Sequence, residues 1–218
     1  MFRSRVAAAD TTGLESRHAT RTVQAGPQLV AGGHVGHRLT ESASSRSFLA
    51  LGVEARRADS AVTTLQRELG AHVVDLTRVL LDALRGRAEE VGIPWDAVQA
   101  ADAEAEGTRG AQGLAQLVSQ ALPAITAACD DAPAGTCPVL LTEAAPLARY
   151  GHLATLSRWT DLATPRTQAV WLLVPQLHAT QGAVVDTRPV PLAAPGQYLR
   201  LDADWLDSRT PSTTGAHP

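Results

Sequence analysis

The chain has 218 residues, 44% of them hydrophobic, and a formal net charge of −3. That length holds one compact domain with tails, or at most two small ones, with ample apolar surface for a core. The charge gives no general attraction to polyanions, and no apolar run approaches the roughly 18 residues of a membrane span.

Arg3 and Arg5 stand at the N-terminus with no apolar stretch behind them, so no secretory signal is read and a cytoplasmic location is expected. All 19 basic residues are Arg, and Lys is absent. This removes the Lys of an ordinary phosphate-binding loop, the strand Lys of a protein kinase and the Schiff-base Lys of pyridoxal phosphate enzymes. Cys129 and Cys137 are too far apart in sequence for a zinc pair and have no second pair to complete four ligands, so they read as thiols in a reducing compartment. No cofactor and no metal site is expected.

Residues 1–45 are rich in Ser, Thr, Gly and Arg without sustained periodicity and read as disordered or linker. Within them, Gly32-Gly33-His34-Val35-Gly36-His37 lacks the second Gly and the Lys of a phosphate loop. His34 and His37 have the spacing to share a metal on a helix, but no third ligand supports them.

An α/β domain is expected over 46–207. Residues 48–53 read as a buried strand, followed by a helix capped by Asp59, with Val62, Leu65 and Leu69 on one face and Gly70 as its stop. Residues 71–75 form a second strand. Thr77 is positioned to cap a helix whose buried stripe is Leu80, Leu84, Ala88 and Val91. Pro94 opens a short helix with Trp95 and Val98, and Asp102, Glu104 and Glu106 fall in an acidic loop. Residues 113–129 are helical by pattern, divided by Pro123.

Val139-Leu140-Leu141 and the run 169–174 are apolar without alternation, which suits parallel strands buried on both faces. The helix-like pattern between them makes a βαβ unit. Residues 184–192 read as a hairpin at a sheet edge, and 198–201 as a last strand. Asp202 is a cap for a short helix, and 208–218 read as a disordered tail. The expected fold is three-layer α/β: a small, mainly parallel sheet of 48–53, 71–75, 138–142 and 169–174, helices on both faces, and an irregular β edge at 184–201.

Thr142 and Glu143 end the first run of the central unit, where parallel sheets present their ligands. With Arg149 and His152 they make a candidate polar site; no catalytic residue is assigned. In the acidic strand of a P-loop ATPase the first carboxylate organises Mg²⁺ and the second polarises water. Here Thr142 stands at the first position and Glu143 at the second. Residues 171–174 would then be the sensor strand, ending in Pro175. The plainer reading of Glu143 is a carboxylate that caps the next helix or pairs with Arg149, and that of His152 is a structural histidine. Arg56-Arg57, Arg85 with Arg87, and Arg149, Arg158 and Arg166 offer local patches for DNA, or else solvated helix faces.

Several stretches carry a family resemblance: LLTEAAPLARYG, WLLVPQ, DTRPVPLAAPGQYLRLDADWL and GIPWDAVQAADAEAEGTRGAQGLAQLV, with the strand and helix from Ser47 to Leu69. Together they resemble the C-terminal region of the large serine/threonine kinase of the phage-growth-limitation (Pgl, BREX type 2) defence system. The chain carries no kinase signature, so no kinase residue is carried over. The resemblance implies a non-catalytic interaction domain docking on other proteins of the defence system. A degenerate P-loop nucleotide-binding remnant and a DNA-contacting module are the alternatives.

Overall fold

The computed structural model describes residues 32–105, 107–133, 137–178 and 180–209. Among the described residues seven strands form: β1 (Phe48–Glu54), β2 (His72–Asp75), β3 (Val139–Thr142), β4 (Val170–Gln176), β5 (Val184–Val185), β6 (Arg188–Pro189) and β7 (Tyr198–Arg200). Five of them make one sheet in the order β2-β3-β4-β1-β7, with every pairing parallel. β5 and β6 pair antiparallel as a separate hairpin near the C-terminus. The expected parallel α/β architecture with an irregular late β segment is thus the fold of the protein.

Successive side chains of a strand point to opposite faces, and the apolar runs fill both. Leu49, Leu51 and Val53 of β1 join Leu140, Trp171 and Leu173 on one face. Phe48 and Ala50 join Val139, Leu141, Val170, Leu172 and Val174 on the other. Helices α1 (Gly32–Ser45), α2 (Ala58–Leu69) and α9 (Ala203–Asp207) cover the first face. The second face is covered by α6 (Pro123–Asp130), α7 (Ala145–Arg149), α8 (Ser157–Thr160) and the β5–β6 hairpin. A side bundle of α3 (Leu76–Glu90), α4 (Trp95–Asp102) and α5 (Arg109–Ala121) has its own core around Leu80, Leu84, Val98, Leu114 and Val118. Each large side chain fully buried this way contributes about 1.5–3 kcal/mol.

Three local expectations are corrected. Gly32–Ser45 is a helix, where linker is expected up to residue 45. Val35, Leu39 and Ser42 recur at helical spacing and are buried, with Ser42 accepting from the Trp171 indole. Residues 1–31 and 210–218 lie outside the described residues. The cap of α3 is Asp75, whose Oδ1 accepts from Arg78 N at 2.9 Å, and not Thr77. The helix after β1 starts at Ala58, with Arg57 at the cap position and no side-chain cap bond, so Asp59 does not cap it. Pro123 divides the long apolar pattern into α5 and α6 as expected.

Candidate functional site at the carboxyl edge of the sheet

β1 and β4 are neighbours, yet their following connections leave to opposite faces. α2 packs with Leu49 and Leu51, whereas Val185 and Val190 of the hairpin region pack with Phe48 and Val170. In a parallel sheet such a divergence opens a crevice beyond the strand ends, where ligands bind. Near that edge, polar side chains pack over Gly52 on the second face of the sheet. Gln176, 2% exposed at the end of β4, donates from Nε2 to the carbonyls of Gln181 and, at 2.9 Å, Gly182. The same nitrogen lies 2.8 Å from the Tyr198 hydroxyl. Gly52 of β1 runs directly beneath: a Cβ there would sit 2.9 Å from both Gln176 Nε2 and Tyr198 Cε2.

The four candidate residues do not converge. Thr142 is buried, and its Cα pairs in register with that of Asp75. Glu143 is exposed and has φ +55°, in the left-handed region. Its carbonyl accepts from Thr77 Oγ1 at 3.0 Å, while α7 begins without a side-chain cap bond. Arg149 turns away from Glu143 and pairs with Asp102 at the end of α4, 2.9 Å from Nη2 to Oδ1. The Tyr150 hydroxyl donates to the same oxygen at 2.6 Å. Burial, followed by that bond and the Asp102 charge, pushes the Tyr150 phenol up to about 12. His152 Nε2 lies 3.4 Å from Ser119 Oγ on α5. The Ser119 hydroxyl also donates to the Ala115 carbonyl at 2.9 Å, one turn back in α5.

The arginine groups are engaged locally. Arg56 meets Glu54 at 2.9 Å, Arg57 forks onto Asp207, and Arg158 faces Asp130 at 3.7 Å. Arg85 lies 5.0 Å from the Trp95 ring centroid, and Arg87 holds Gln120 and Glu90. Arg166 donates to the carbonyls of Arg46, Trp159 and Asp161. Among the described residues no three His, Cys, Asp or Glu side chains gather as a metal site. Cys129 is buried and its thiol is pushed up to about 12, mainly by that burial, while Cys137 is exposed. A hollow of about 420 Å³ lies at the opposite, amino edge, beside Arg38, Ser45 and Leu162.

Gln176 and Tyr198 escaped the sequence reading. A polar residue closing the apolar run Val170–Gln176 is the one signal that marks the first; nothing local marks the second.

No family model matches the chain, and no solved structure matches it. The probable kinase PglW of Streptomyces coelicolor is 32% identical over 205 residues, which cover 91% of this chain and 13% of that protein. This chain therefore spans about an eighth of the length of that relative. The resemblance to the Pgl kinase extends over nearly the whole chain, which is similar to one limited part of that much longer protein.

Proposed function

We propose that this chain is a non-catalytic docking domain of a Pgl-type antiphage defence protein, binding other proteins of the system. The observation that supports this reading most is that the buried Gln176 amide and the Tyr198 hydroxyl bond to each other and pack against Gly52, so the end of β1 has no room for a phosphate cradle. Phosphoryl transfer rests on positioning and charge neutralisation. The chain after β1 passes through the single turn Ala55–Arg57 straight into α2, with no glycine cradle and no Lys. Thr142 stands in place of a Mg²⁺-binding carboxylate. The test is co-expression with the methyltransferase, phosphatase-like and ATPase components of a Pgl system. Stable co-purification with one of them is expected; its absence with all of them overturns the reading.

One observation favours the second reading, a nucleotide-binding remnant. The strand order sets β4 between β1 and β3, which is where the P-loop ATPase comparison requires the sensor strand. Ligand at about 100 times its Kd stabilises a fold by roughly 2.7 kcal/mol, which a melting curve resolves. The docking reading expects no shift with millimolar Mg²⁺-ATP. A shift of several degrees abolished by Glu143→Gln establishes the remnant instead.

A further inference from the structure

The ladder between β1 and β7 stops one step short of the start of β1. It runs from Ala50, level with Tyr198, to Gly52, level with Arg200, so Phe48 stands level with Gly196. Residues of a parallel strand bond alternately to the neighbours on its two sides. The Ser47 carbonyl accepts from Val170 N on the β4 side at 3.3 Å, and the Gly52 carbonyl accepts from Leu201 N on the β7 side at 2.8 Å. The N–H and C=O of Phe48 therefore turn toward the β7 side, as those of Ala50 and Gly52 do. The chain there does not continue the ladder. It winds into the single turn Pro195–Gln197, where Gln197 N donates to the Ala194 carbonyl at 3.0 Å and the Pro195 carbonyl accepts from Tyr198 N. Those are the two groups that a further ladder step would bring to Phe48.

The hollow of about 420 Å³ at the amino edge lies at this place, since Phe48 and Leu49 line it together with Gly196 and Gln197. The Phe48 ring belongs to the core of the second face, so this residue presents its main chain to the hollow. Arg38 bounds it from α1, donating to the Gly196 carbonyl at 2.6 Å, and Ser45 and Leu162 stand on its walls. We propose that this hollow binds the main chain of a short extended segment of a partner protein, which completes the missing ladder step on Phe48. This deepens the docking reading and rests on it. One residue of an extended chain offers an N–H and a C=O at the spacing the Phe48 pair requires, which is how a strand edge takes a peptide. Arg46 has φ +53°, so β1 does not extend ahead of Ser47 and the segment gains one step only. Phe48 is 1% exposed, so its main chain is recessed: a thin extended segment reaches it, and the same edge of a second copy does not.

The test is titration of the full chain with a blocked tripeptide, leucine between two alanines, read by amide hydrogen exchange and chemical shift. In the free chain the Phe48 amide should exchange about tenfold faster than those of Ala50 and Gly52, which the ladder holds. Millimolar peptide should shift the Phe48 resonance saturably and slow its exchange, since one pair of hydrogen bonds gives weak binding. The same peptide with its backbone nitrogens methylated has no N–H to give and should do neither. Ser45→Phe and Leu162→Trp narrow the hollow from different walls and should each prevent the protection; Leu162 is 64% exposed, so its replacement leaves the core intact. A Phe48 amide as slow as that of Gly52 in the free chain overturns the proposal. Equal protection by the methylated peptide, or undiminished protection in both variants, overturns it too. If defence components co-purify equally with wild type and Leu162→Trp, docking stands and this hollow is excluded as its contact. If the peptide protects Phe48 and no component co-purifies, the docking reading falls and the binding site remains.

Discussion

Trp171 Nε1 donates a 3.0 Å hydrogen bond to Ser42 Oγ, joining the centre of β4 to α1 across 129 residues of sequence. Both side chains are buried, Trp171 completely. Ser42 Oγ also donates to the Ser47 carbonyl at 3.2 Å and accepts from Ser47 Oγ at 2.9 Å. The hydroxyl thus satisfies an indole in the core and fixes the link between α1 and β1.

Removing that hydroxyl strands a buried donor, which costs about 1–3 kcal/mol. Ser42→Ala should therefore lower the unfolding free energy by that amount in urea, with little change in slope. An unchanged midpoint would mean that α1 is not part of the cooperative unit. Trp171→Ala, which also opens a cavity, should cost more, about 3–5 kcal/mol.

What could be read from the sequence followed from how local the determining interactions are. The runs around Leu140 and Leu172 announced a buried parallel sheet, because residues buried on both faces need no polar alternation. α1 was hidden because Ser42 completes the stripe of Val35 and Leu39 within a Gly- and Ser-rich segment, and only the distant Trp171 makes a buried serine favourable. The same limit applied to the site. Glu143 stands out in the sequence at a strand end, but Arg149 pairs with Asp102, 47 residues away, and the left-handed backbone of Glu143 has no sequence signature.

The Asp102–Tyr150 bond predicts an alkaline transition. A phenol raised from 10.0 to about 12 in the folded state favours the neutral form there. Its contribution is complete below the ordinary phenol range and is lost as pH rises through about 12. Stability should therefore fall across that window, and Tyr150→Phe should flatten the fall. The chain has two tyrosines, so absorbance titration of wild type against the variant isolates Tyr150. A difference curve centred near 10 would contradict the burial and the bond to Asp102.

Acid should act through other groups. The Arg57 fork holds the Asp207 carboxyl below its usual range, and the Ala163 N–H followed by the Thr164 hydroxyl does the same for Asp161. Lowered carboxylates stabilise above their unfolded pKa, and that stabilisation is lost as pH falls through the folded value. Asp207→Asn and Asp161→Asn should each make the acid limb of the melting temperature shallower, most visibly below about pH 4. Parallel acid limbs for wild type and both variants would remove these contacts as its cause.

The packing of Tyr198 and Gln176 against β1 is testable through Gly52. Its position in β1 gives no conformational reason for glycine; the reason is space, since a Cβ would press on Tyr198 and on the Gln176 amide. Overpacking of this kind costs about 1–3 kcal/mol, so Gly52→Ala should destabilise by that amount where an ordinary strand position would gain from Ala. Tyr198→Phe removes the nearest atom that the new methyl group meets but leaves the ring and the amide. Alone it should be mildly destabilising, because it breaks the 2.8 Å contact with Gln176. Combined with Gly52→Ala, it should recover part of the loss, a coupling of about 0.5–1 kcal/mol in a double-mutant cycle. Strict additivity in urea unfolding would mean that Tyr198 does not sit over Gly52.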